Sequence, residues 1–141
     1  MSLSQKIRLL TQRARIVTGT VTGNYFGGVC TSGLPGQDLF TYGRVNQWWR
    51  LQEAYFKLFP GVWAGAPGDT ITCRIYFTVM GAEQLIGDAD WDSDGSDGNV
   101  AFIYWFWSNY EMLGPIRVEL QSNAAADINV TVPWEYRVKD W

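Results

Sequence analysis

Residues 70–79 read TITCRIYFTV, and their alternation decides the fold class. Ile71, Cys73, Ile75, Phe77 and Val79 fall on one side of an extended chain, and Thr72, Arg74, Tyr76 and Thr78 on the other. Successive side chains of a strand point to opposite faces, so a period of two marks a strand with one face on a core. β-Branched and aromatic residues fill the stretch, as strands favour. A turn, Ala66-Pro67-Gly68-Asp69, stands directly before it.

The same period recurs along the chain. Ile116, Val118 and Leu120 alternate with Arg117 and Glu119 after the turn residues Gly114-Pro115. Ile128, Val130 and Val132 alternate with Asn129 and Thr131, and Trp134, Tyr136 and Val138 with Glu135, Arg137 and Lys139. Residues 100–107, VAFIYWFW, are apolar on both sides, which predicts a central strand or one with an intermolecular face. Residues 15–23, RIVTGTVTG, read as a strand that closes at Gly23. Residues 24–38, with their glycines and a proline, read as a loop or a broken edge strand.

Residues 46–60, NQWWRLQEAYFKLFP, fit two patterns. A helix would align Trp48, Leu51, Tyr55 and Phe59. A strand would set Gln47, Trp49, Leu51, Tyr55 and Phe59 against Trp48, Arg50, Gln52, Phe56 and Leu58. The aromatic content and the Pro60-Gly61 turn favour the strand. Seven or eight strands separated by turns predict an antiparallel β-sandwich of jelly-roll or immunoglobulin-like kind. With 141 residues there is room for one domain, residues 16–141, preceded by an N-terminal arm or helix, residues 1–15. In residues 4–14, Ile7, Leu10 and Ala14 share a helical face and Ser4 stands at the cap position.

Charge is lopsided. Residues 1–50 hold six cations against Asp38, which is +5; residues 51–141 hold five cations and thirteen acids, which is −8; the total is −3. Four cations in residues 1–15, Lys6, Arg8, Arg13 and Arg15, are few for an arm that binds phosphate, so nucleic acid is not the expected partner. The better complement of a basic arm is the acidic body of a neighbouring copy. No stretch approaches the roughly 18 apolar residues of a membrane span, and the N-terminus lacks the pattern of a signal peptide, so a soluble protein is expected.

The chain has no histidine, which removes imidazole bases, Ser-His-Asp triads and ordinary zinc sites. Two cysteines, Cys30 and Cys73, form no zinc site alone but could pair across two strands. Glu53, Glu83, Glu111 and Glu135 are the glutamates open to a glycosidase pair, without a motif to join them. No enzyme is expected.

One stretch looks like a cation loop. Residues 87–98, GDADWDSDGSDG, place Asp90, Asp92 and Asp94 before Gly95 as D-x-D-x-D-G, the opening of a calcium loop. Position twelve is Ala101 rather than the closing glutamate. The competing reading is a solvated acidic tip with Trp91 offered to a partner.

Eight tryptophans, seven tyrosines and seven phenylalanines exceed what one small core usually holds. The expectation is a homo-oligomeric structural protein, concretely a virion coat or capsid-decoration protein. Lys6, Arg8, Arg13, Arg15, Trp91, Trp105 and Trp107 are its interface candidates. Small β-sandwich proteins of viral shells share this general build, an analogy of fold alone. The alternative is a calcium-assisted carbohydrate-binding module with Trp48, Trp49 and Trp63 as sugar platforms.

Overall fold

The computed structural model describes residues 2–5, 14–27, 36–46, 48–58, 61–63, 69–94, 96–98, 100–102 and 111–140. These form β1 (Ala14–Gly23), β2 (Gln37–Tyr42), β3 (Trp48–Lys57), β4 (Thr70–Val79), β5 (Ala82–Asp92), β6 (Val100–Phe102), β7 (Glu111–Leu113), β8 (Ile116–Ser122) and β9 (Val130–Asp140). One sheet, A, has the order β1-β9-β3-β6, with β7 also on β3; the other, B, has the order β2-β8-β4-β5. β6 and β7 lie antiparallel against opposite ends of β3, at Tyr55–Lys57 and Trp48–Arg50, and act as one interrupted strand.

Counted so, the pairs nest: β1 with β9, β2 with β8, β3 with β6/β7 and β4 with β5. The chain is one long hairpin, closed at the β4–β5 turn, rolled so that β3·β9 and β4·β8 pairs knit the two sheets. This is the eight-strand double Greek key of a jelly roll. The A-B-E-D and C-F-G orders of an immunoglobulin domain are not formed.

Between the sheets lies a single core of Trp49, Leu51, Phe56, Leu58, Ile71, Ile75, Val118, Leu120, Val132 and Val138 with their neighbours. β4 buries Ile71, Cys73 and Ile75 as its alternation requires, but Val79, read on the same inward side, is exposed. Cys73 carries a free thiol there, and burial pushes its pKa up. Cys30 itself lies outside the described residues.

Three readings change. In β3 the register shifts between Leu51 and Glu53. A bulge adds one residue and reverses the faces beyond it. Ala54, Phe56 and Leu58 are therefore buried and Tyr55 faces outward, whereas strict alternation grouped Tyr55 with Leu51. Residues 87–92 are not loop but the second half of β5, while Gln37 and Asp38, at the end of the stretch read as a loop or a broken edge strand, begin the edge strand β2. The alternation read from Ile128 becomes a strand only at Val130: β9 is continuous to Asp140, and its pairing to β3 ends at Trp134, so that among the described residues Pro133 has β1 alone beside it. Of the apolar run 100–107, the strand Val100–Phe102 is described and the rest lies outside the described residues.

At the N-terminus Ser2, not Ser4, caps a helical turn at 3–5: the Gln5 amide donates to Ser2 Oγ (3.2 Å), and the Ser2 amide to Gln5 Oε1 (2.8 Å). That is a reciprocal S-x-x-Q capping box. Residues 6–13 lie outside the described residues.

Candidate interaction surfaces

The roll has two unlike ends. One, the turn end, gathers the β2–β3, β4–β5 and β7–β8 connections with the start of β1 and the end of β9. There Val45, Trp48, Val79, Met80 and Leu113 are exposed. Trp48 and Leu113 are cross-strand partners on the outer side of sheet A. The Thr78 amide donates to the Pro115 carbonyl (3.4 Å), which seats the β4–β5 turn beside Gly114-Pro115. Trp49 Nε1 donates to the Gly114 carbonyl (2.7 Å) and ties the same turn to the core.

Met80 is the anomaly of this end. It is wholly exposed and lies in the left-handed region at φ 52, followed by Gly81 at φ 77; Asn46 in the β2–β3 turn is left-handed too, at φ 62. Two positive φ values between Val79 and Ala82 make a two-residue hairpin turn of type I′, where Asn-Gly is the favoured pair. A left-handed Met carries a steric penalty that Asn largely avoids.

Outward-facing Arg74 and Thr72 of β4 are not solvated, as the alternation had suggested, but buried. Arg74 Nη1 donates to Gln121 Oε1 (2.6 Å) and Glu119 Oε1 (3.2 Å). Gly27 lies so close to Gln121 that a Cβ there would collide with its amide, so the backbone just after β1 roofs this pair. Beside it Arg117 reaches Asp38 (2.6 Å), Glu83 (2.7 Å) and Glu119 (2.9 Å) and stacks on the Tyr76 ring at 4.2 Å. Hydrogen bonds from Arg117 hold Glu83 below the usual carboxylate range; Glu83, Asp38 and Glu119 hold Arg117 above its own. One guanidinium thus pins β2, β8 and β5 across sheet B. Pattern alone does not reveal this network, because its members come from four separate strands.

β5 is one of the two edge strands of sheet B; among the described residues it pairs with β4 alone. Its outward row is Glu83, Leu85, Asp88, Asp90 and Asp92, opposite Thr78, Tyr76, Arg74, Thr72 and Thr70. A bulge between Leu85 and Gly87 keeps the row on one face. The calcium-loop reading had set these aspartates in a loop. Asp90 and Asp92 sit two apart on a strand, roughly 7 Å along it, and do not converge. Asp90 accepts from Thr72 Oγ1 (2.7 Å). Asp92 Oδ1 accepts the Asp94 amide (3.0 Å), and Asp94 Oδ1 the Ser96 amide (2.7 Å), which lowers the Asp94 pKa. The carboxylates of this tip build turns. Among the described residues no group of three or more acidic or thiol side chains could hold a metal ion.

The tryptophans divide sharply. Trp49 and Trp63 are buried, and Trp63 Nε1 donates to the Lys57 carbonyl (2.9 Å) while its ring meets Tyr25 edge-on at 5.1 Å. Neither ring offers a face to a sugar, contrary to the platform reading; Trp48 alone of the three is exposed. Trp91 turns inward and meets Phe56 at 5.4 Å, so its ring belongs to the core rather than to a partner. Arg15 Nη2 donates to Tyr42 of its own chain (2.7 Å) and its cation lies 5.9 Å from that ring. Lys6, Arg8, Arg13, Trp105 and Trp107 lie outside the described residues.

A groove of about 630 Å³ crosses the outer face of sheet A between Thr18, Thr20, Tyr55, Lys57, Glu135 and Arg137. Arg137 is held in it by Glu53 (2.8 Å) and Glu135 (3.3 Å). No helix among the described residues is long and apolar enough to cross a membrane.

No family model matches the chain, and no curated protein matches it. Among solved structures, a chain of infectious bursal disease virus, Gx strain, is similar over 90% of this chain and 32% of that one, at 16% identity and a TM-score of 0.47. This chain therefore spans about a third of that one's length. The capsid protein of a decameric BFDV assembly is similar over 92% of this chain and 99% of that one, at 10% identity and a TM-score of 0.38.

Proposed function

We propose that this chain is a non-enzymatic structural subunit that assembles with copies of itself, of the kind that forms or decorates a virion shell. The jelly roll serves capsid proteins, lectins and cupins alike, so fold by itself does not choose. The observation that carries the reading is the turn end. Val45, Trp48, Val79, Met80 and Leu113 stand exposed together there, and Met80 does so in a backbone conformation that disfavours it. Apolar side chains gathered at one end of a domain mark an interaction surface. The calcium-assisted glycan reading loses its support where Trp49 and Trp63 are buried and Asp90 and Asp92 are held along a strand.

Sedimentation velocity of the full chain over a dilution series tests this. Concentration-dependent species larger than a monomer are expected, and Trp48→Asp should shift them toward monomer. A chain that stays monomeric at its highest soluble concentration would remove the proposal.

A further inference from the structure

Among the described residues the two sheets end at β1, at β6 with β7, at β2 and at β5. An open edge invites pairing with another chain, and natural sheets blunt it with charges, bulges or short strands. β6 and β7 are three residues each. β2 carries Asp38 and a bulge between Asp38 and Phe40. β5 carries Glu83, Asp88, Asp90 and Asp92 and a bulge of its own. β1 has none of these devices. It runs ten residues in unbroken register with β9, and from Ile16 to Gly23 it contains no charge and no proline. Its outward row, Ile16, Thr18, Thr20 and Thr22, is exposed, Ile16 by 61%.

The order of residues in β1 points to the strand that fits. Val17-Thr18-Gly19-Thr20-Val21 reads the same in both directions. Laid antiparallel on a second β1 with Gly19 opposite Gly19, it sets Thr18 against Thr20, Val17 against Val21 and Ile16 against Thr22. Thr–Thr pairs and pairs of β-branched residues stabilise neighbouring strands. Arg15, the one cation of β1, then stands opposite Gly23, so the two guanidinium groups lie roughly 27 Å apart along the pair and do not repel. We infer that β1 of one copy pairs antiparallel with β1 of a second copy, about a two-fold axis at Gly19, so that the two A sheets become one. Main-chain hydrogen bonds hold such an added strand, and side chains choose the partner and register. The inference rests on the self-assembly reading and names a contact apart from the turn end, since Gly19 is level with Phe56 in register rather than with Trp48. Gly19 also serves its own chain, because a Cβ there would collide with the Trp134 ring, so the test leaves it in place.

Hydrogen exchange of the unaltered full chain over a dilution series gives the first test. The open-edge amides between Val17 and Thr22 should exchange about tenfold or more slowly in the associated species than in the monomer, while those of Asp88–Asp92 keep their rates. Charge on the outward row gives the second. Thr18→Lys/Thr20→Lys and Thr18→Asp/Thr20→Asp each set like charges opposite one another, and each should weaken association about tenfold or more; mixing the two variants should restore it. Thr18→Lys/Thr20→Asp sets opposite charges across the axis and should keep the association of the parent. Oligomers whose β1 amides exchange as in the monomer, or association indifferent to both like-charge variants, overturn the inference and leave self-assembly standing. Equal weakening in the opposite-charge variant also overturns it, because β1 would then reject any charge rather than pair about Gly19. A monomeric parent chain overturns both readings. The exchange measurement uses no variant, so it decides the matter where a variant fails to fold.

Discussion

Replacing Met80 with Asn should stabilise the subunit and weaken its assembly at once. Met80 touches nothing in its own chain, being fully exposed, so its removal costs the isolated fold no packing. Its φ of 52 lies in the left-handed region, where a non-glycine side chain pays roughly 1–2 kcal/mol and Asn is the tolerated exception. Met80→Asn produces the Asn-Gly pair that a type I′ hairpin prefers. A gain of about 1 kcal/mol is expected, which for a domain of this size raises Tm by about 3–4 °C. If the Met80 side chain is buried between copies, its loss removes about 1.5–3 kcal/mol of apolar burial per contact. Association should then weaken about 10- to 100-fold. Scanning calorimetry on dilute protein reads the first effect, and sedimentation equilibrium the second. Ile128→Asn, an exposed apolar site at the opposite end of the roll, is the control and should leave association unchanged. A lower Tm would refute the backbone argument. A higher Tm with unaltered association would show that strain and exposure at Met80 have nothing to do with a partner.

Other consequences are separately measurable. Arg74→Met removes one arm of a buried ion pair but leaves Glu119 with Arg117 and Tyr76, so chemical denaturation should show a loss of about 3 kcal/mol, at the lower end for a broken buried pair. The pKa of Glu83 is lower folded than unfolded, so its contribution is present above the unfolded carboxylate range, about pH 4, and fades as pH falls through the folded value. Tm against pH should therefore drop less steeply on the acid side in Glu83→Gln than in the parent. Calcium and a chelator should give the same melting curve, since the tip aspartates bind backbone amides; a calcium-dependent rise that Asp92→Asn abolishes would reverse that reading. Cys73 should resist a thiol reagent in the native state and react only on unfolding, at the rate of global opening.

Local alternation carried far because it reflects an obligatory property of strands: one face meets the core. β4, β8 and β9 were readable in this way, and so was the choice of strand over helix for β3. The same rule was available in Asp88-Ala89-Asp90-Trp91-Asp92, where acids alternate with apolar residues, but a run of carboxylates and glycines also describes a loop. Only pairing with β4 separates the two, since it puts Trp91 against Phe56 and the acids on an edge strand.

By itself, then, the order of amino acids determined an all-β sandwich without imidazole chemistry, basic at its start and acidic beyond. It did not determine jelly roll over immunoglobulin topology, the β3 bulge, the burial of Arg74 or the company Met80 keeps. Those depend on which strands meet, and strand pairing is a relation between residues far apart in the chain. A period of two says which way a side chain faces; only the assembled sheets say whether water, a core or an oppositely charged neighbour is waiting there.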